Sequence, residues 1–118
     1  ALLDHLIGAF CFIEHDCQTI SKLSGNGLFY QLINLPLENL TTEKSVKQML
    51  ESINKKDLTK IITAFNQTKF QTNVCKSLIY HAKYGSEKGT YIMKIHFIRN
   101  TSSSSLYLIQ LESLDLIE

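Results

Sequence analysis

An α+β fold, in which about five antiparallel strands form one sheet and short helices pack on one of its faces, follows from three features of the sequence. The segment AFCFIEH at Ala9–His15 is apolar and rich in strand formers, and a more polar strand follows it over residues 18–23. Apolar residues then recur every three to four positions through residues 26–70, the period of amphipathic helices. Over residues 73–118 the pattern changes to alternation interrupted by Gly- and Ser-rich breaks, which reads as strands joined by hairpins. Two strands, a run of helices and three more strands are best accommodated by an antiparallel sheet with the helices kept to one side.

Local patterns set each element along the chain. Leu2, Leu3, Leu6 and Ile7 share one helical stripe, and Gly8 is a suitable stop, so residues 1–8 are expected to be the end of a flanking helix ahead of a single domain at 9–118. His15-Asp16-Cys17 turns the chain between the first two strands. Ser24-Gly25-Asn26-Gly27 is a breaker cluster, and the Asn26 side chain is suited to cap the short helix that follows. Leu28, Phe29, Leu32 and Ile33 give that helix an apolar face. Asn34 tolerates the left-handed conformation that stops it, and Pro36 prevents its continuation. Thr41-Thr42-Glu43-Lys44 starts a second helix with Val46, Met49, Leu50 and Ile53 on one side. Asp57 is expected to cap a longer third helix, to about residue 70, with Leu58, Ile61, Ile62 and Phe65 facing inward. Residues 73–84 form a strand, residues 85–89 a hairpin loop, and residues 90–99 the most strongly patterned strand, with Tyr91, Met93, Ile95 and Phe97 on one side and Lys94 and His96 on the other. A polar turn at 100–105 leads to a closing strand at 106–111.

Composition narrows the function. A chain of 118 residues supports one domain with one core. Its 44% hydrophobic and 19% charged content is that of a globular protein. With 12 basic and 11 acidic residues the net charge is +1, and Arg99 is the single arginine, so no basic face for nucleic acid is indicated. No apolar run approaches the roughly 20 residues of a membrane-spanning helix. The start lacks the basic residues of a signal peptide and carries Asp4. There is no initiator Met, and a fragment of a longer protein is expected. Cys11, Cys17 and Cys75 are odd in number and lack C-x-x-C spacing, which argues against a disulfide framework and a structural zinc site and for reduced, cytoplasmic thiols. The N-x-S/T triplets at Asn39, Asn66 and Asn100 would matter only in a secreted chain.

Residues 26–40, NGLFYQLINLPLENL, resemble the first helices of the PAS (sensory box) family. Asn26 stands at that pattern's Asn, Phe29 at its aromatic, Leu32 and Ile33 at its apolar pair, and Leu35 at the following hydrophobic, with Asn34 in place of the usual Gly. Of the family's His-Pro-x-Asp turn only the Asp remains, as Asp57, with Asn54 and Lys55 at the His and Pro positions. The family's D-I-T ending is matched by Asp115-Leu116-Ile117, without the Thr. The resemblance implies a strand order that places Ala9–His15 beside the closing strand. It also implies a non-catalytic sensor or regulatory module of a larger, bacterial signal-transduction protein. There it would lie ahead of a C-terminal output domain, a histidine kinase or a cyclic-dinucleotide enzyme, and relay ligand or partner state through its flanking helices. Pairing of two copies through Leu2, Leu3, Leu6 and Ile7 is favoured over an intradomain role for that stripe. A ligand-free dimerisation or interaction module is the alternative, and a small enzyme or carrier of another α+β fold a third reading.

No catalytic constellation is legible. His5, His15, His81 and His96 are far apart in sequence, Ser24-Gly25 lacks nucleophile-elbow spacing, and no phosphate-binding glycine loop is present. Haem-binding relatives carry their axial His on the long helix, and the 57–70 segment has none. Photoactive flavin relatives carry a Cys in G-R-N-C-R-F-L-Q, whereas LENLTTEKSVKQML follows the central helix here. Haem and photoactive flavin are therefore disfavoured, and the identity of any cofactor is left open. His81 and His96 read as strand-pairing residues, and Cys11 and Cys75 as small core groups. Phe29, Leu32, Ile61, Phe65, Met93 and Ile95 are the candidate lining of a small-molecule pocket between long helix and sheet, with core packing their commoner role.

Overall fold

Strand alternation and helical stripes combine into one sheet with three helices against it. The computed structural model describes residues 8–15, 20–34, 42–69, 71, 74–100 and 104–114. Their elements are β1 (Ala9–His15), β2 (Ile20–Gly25), α1 (Gly27–Leu32), α2 (Thr42–Ser52), α3 (Lys55–Thr68), β3 (Cys75–Tyr84), β4 (Glu87–Asn100) and β5 (Ser105–Ser113). The sheet order is β2-β1-β5-β4-β3, with every neighbouring pair antiparallel. β1 lies beside β5 with Cys11 opposite Ile109, the adjacency that the family resemblance implies. The expected stripe of Leu2, Leu3, Leu6 and Ile7, the Pro36 turn, Cys17, His5 and the Asp115-Leu116-Ile117 ending lie outside the described residues.

The side of the sheet under the helices is built from alternate residues. Ala9, Cys11 and Ile13 of β1, Tyr80, Ala82 and Tyr84 of β3, Tyr91, Met93, Ile95 and Phe97 of β4, and Tyr107, Ile109 and Leu111 of β5 are all buried. Phe29 and Ile33 from α1, Met49 and Ile53 from α2, and Ile61 and Ala64 from α3 complete this core. The same alternation puts Lys94 and His96 on the other side, as their spacing predicts.

Asn26 joins the first strand to the first helix. Its Oδ1 accepts from Phe29 N at 2.9 Å and from Phe10 N at 3.1 Å, and its Nδ2 donates to the Gly8 carbonyl at 2.8 Å. One buried amide thus caps α1 and ties it to the start of β1. Gly25 makes room for this junction, since a Cβ there would stand 2.4 Å from the Phe29 ring. Asn34 ends the helical stretch at φ 55°, the left-handed stop expected of it.

Several expectations are corrected. The cap of α3 is Asn54, whose side chain accepts from Lys56 N, and Asp57 sits in the first turn with its carboxylate aimed at β3. α3 ends at Thr68. Ile62 is 56% exposed and Leu28 52% exposed, because each falls at the outer margin of its helical stripe. The β3–β4 hairpin is tighter than five residues: Tyr84 pairs with Glu87 across a two-residue turn at Gly85 and Ser86, with Gly85 at φ 80°. Cys75 is exposed, because its position in β3 points away from the helices.

Candidate functional site

An apolar cleft of about 480 Å³ lies between α2 and α3 over the end of the β1–β2 ribbon. Each wall follows from a pattern in the chain. β1 contributes Ile13, β2 Ile20, α2 Val46 and Leu50 from one stripe, and α3 Leu58, Ile61, Ile62 and Phe65 from another. Polar groups enter the lining at His15, Glu43, Lys47, Glu51 and Asn66. An apolar chamber with acidic and basic groups beside it favours a small, largely apolar ligand carrying a polar end.

The space between α3 and the central strands is occupied by aromatic side chains. Phe65 meets Tyr107 edge-on at 4.9 Å between ring centroids, and Tyr107 meets Phe97 at 5.6 Å. Tyr80 stacks on Tyr91 at 5.6 Å, Tyr84 meets Tyr91 at 5.0 Å, and the hydroxyls of Tyr80 and Tyr84 are 3.0 Å apart. Burial pushes the hydroxyls of Tyr80, Tyr84 and Tyr107 up, so these phenols stay neutral across the physiological range. Cys11 lies in the same interior with its thiol pushed up by burial. Among the described residues no cluster of three or more His, Cys, Asp or Glu side chains forms a metal cage.

At the opposite end of α2, the helix pair is latched to β3. Ile53 bridges to Ala82, and Asn54 N donates to the His81 carbonyl at 2.9 Å. Asp57 Oδ2 accepts from His81 N at 2.8 Å and lies 2.9 Å from His81 Nδ1, while Lys60 Nζ stands 3.4 Å from Oδ1. Burial raises the proton affinity of the Asp57 carboxyl, but the hydrogen bonds from His81 and the Lys60 charge outweigh it and hold the group below the ordinary carboxylate range. His81, expected as a strand-pairing residue, is thus the anchor point of α3.

Of the six candidate lining residues, Ile61 and Phe65 face the cleft. Phe29, Met93 and Ile95 are core residues, and Leu32 packs at the core margin. The remaining wall, Ile13, Ile20, Val46, Leu50 and Leu58, was readable as apolar stripes, but nothing local in the sequence says that these stripes meet around one cleft.

No protein-family model and no curated protein sequence matches the chain. Solved structures do. An RNA-binding Light-Oxygen-Voltage receptor superposes on 92% of the chain with a TM-score of 0.62 and 11% identity, and the chain spans 30% of that receptor. The N-terminal domain of a diguanylate cyclase with PAS/PAC sensor from Marinobacter aquaeolei superposes on 92% of the chain with a TM-score of 0.59 and 12% identity, over 96% of that domain. The fold is PAS-like. At these identities the likeness is one of architecture, and it agrees with the strand order and the central helices described above. No helix of the described residues is long and apolar enough to cross a membrane.

Proposed function

We propose that this chain is a non-catalytic sensor module of a larger signalling protein, and that the cleft between α2 and α3 is its ligand site. The observation that carries the reading is the chamber of about 480 Å³, whose volume falls in the range of small-molecule sites. A ligand seated there touches both helices and the β1–β2 ribbon at once. It therefore favours one packing of helices on sheet over another and shifts the population of the two. The PAS-like fold supports a bacterial, cytoplasmic setting with an output domain such as a histidine kinase or cyclic-dinucleotide enzyme. Pairing of two copies through Leu2, Leu3, Leu6 and Ile7 belongs to the same proposal.

A second reading, a ligand-free interaction module, is favoured by the aromatic filling of the interior around Tyr80, Tyr91 and Tyr107. Native mass spectrometry of the domain purified from cells, with an absorption spectrum, separates the two. The sensor reading predicts an added mass on the order of a few hundred daltons. That mass is lost in Leu58→Trp, which fills the cleft from its half-buried wall. A bare polypeptide mass with dimer present contradicts it and supports the interaction module.

A further inference from the structure

On the face of the sheet away from the helices, Cys75 and His96 are direct cross-strand partners in β3 and β4. Cys75 Sγ lies 3.4 Å from His96 Nε2. Cys75 is exposed at the start of an edge strand, open to small solutes. His96 is half-buried within β4, flanked by Cys75 on one side and Leu108 of β5 on the other, so its ring is held against the thiol. Lys94 sits one cross-strand step along the same face, opposite Ser77.

This contact suits either position of the shared proton. A neutral imidazole accepts from S–H at Nε2, and an imidazolium donates from Nε2–H to the thiolate. The thiolate is the reacting form of cysteine, and an adjacent base is the usual means of generating it. Cys11 has neither advantage, being fully buried with its thiol pushed up.

We infer that Cys75 is a modification site for hydroperoxides, with His96 as the base that readies it. Nε2 takes the thiol proton, and the sulfur attacks the terminal oxygen of the peroxide. The S–O bond forms as the O–O bond breaks, and the proton passes to the departing alkoxide or hydroxide. The sulfur gives up two electrons and becomes a sulfenic acid, and the peroxide accepts them and leaves as alcohol or water. The site lies across the sheet from the cleft and does not depend on the ligand proposed there.

The test is peptide-resolved mass spectrometry of the chain treated with hydrogen peroxide and the sulfenic-acid trap dimedone. Trypsin places Cys75 alone in the peptide of residues 70–76. At pH 7 the adduct at Cys75 forms faster in the wild type than in His96→Gln by about tenfold or more, the scale of assistance by a positioned base. The gap closes toward pH 10, where hydroxide takes the thiol proton without help from the ring. Cys11, resolved from Cys17 by fragment ions, remains unlabelled in both and reports an intact sheet. If His96→Gln exposes Cys11, the strand-favouring His96→Thr takes its place. Equal rates at pH 7 overturn the inference. So does a deficit in the variant that persists unchanged at pH 10, since that would reflect shape and not proton transfer.

Discussion

Asp57 shows how one side chain can fasten a helix to a sheet. It accepts from the backbone and the ring of His81, and Lys60 stands beside it. Asp57→Ala removes the charged acceptor of the part-buried His81 N–H and is expected to cost about 1–3 kcal/mol in urea unfolding. The pH dependence has a definite sign. The folded carboxyl binds its proton less readily than the unfolded one, so its contribution is fully present above the unfolded pKa of about 3.9 and is lost as pH falls through the lower folded value. The stability gap between wild type and Asp57→Asn should therefore narrow as acid is added below about pH 4. A gap unchanged down to pH 2 would contradict this. Asn26 presents the complementary case, with one amide satisfying three backbone groups. Asn26→Ala should lose about 2 kcal/mol, and Asn26→Ser should recover part of it by restoring the cap alone. The cap at Asn26 and the stop at Asn34 were legible because capping and left-handed stops are local chemistry, whereas the bonds of Asn26 to Phe10 and Gly8 span 16 and 18 residues and were not. The role of Asp57 was not, because its partner His81 is 24 residues away and the residue type reads equally well as a cap.

Elements were legible to the extent that their pattern is repeated. Tyr91, Met93, Ile95 and Phe97 alternate without a fault, and β4 follows them. The hairpin was less so, because Glu87, Lys88 and Gly89 look like loop residues but pair with Tyr84, Lys83 and Ala82. What decides the turn is Gly85 at φ 80°, which allows the two-residue reversal. α1 has six residues and depends on tertiary anchorage rather than on its own propensity. Its anchor is Phe29, fully buried with its ring against Gly25 of β2. Phe29→Ala is expected to destabilise the domain by about 3–5 kcal/mol, measured as a loss of urea midpoint at unchanged slope. Gly25→Ala should act at the same spot from the opposite direction, since the new methyl meets the Phe29 ring at 2.4 Å. Little effect of either substitution would mean that α1 is not held through this ring.

At the scale of the whole molecule, the strand order β2-β1-β5-β4-β3 separates the sheet into two faces with different work. One carries the helices, the aromatic interior and the cleft, and the other carries the Cys75–His96 pair. The cleft draws its walls from β1, β2, α2 and α3, which explains why only Ile61 and Phe65 among the candidate residues belong to it. Each stripe is written in the sequence, whereas their convergence is a property of the folded domain. The measurement that bears most directly on the ligand site is methyl NMR of the domain titrated with anilinonaphthalene sulfonate, an apolar probe whose anion suits Lys47. A ligand site in the cleft gives saturable shifts at Ile20, Val46, Leu50 and Leu58, which line it, with the core methyls of Ile95 and Ile109 unmoved. Shifts centred on Ile95 and Ile109, or no saturable shift at the cleft methyls, would contradict it.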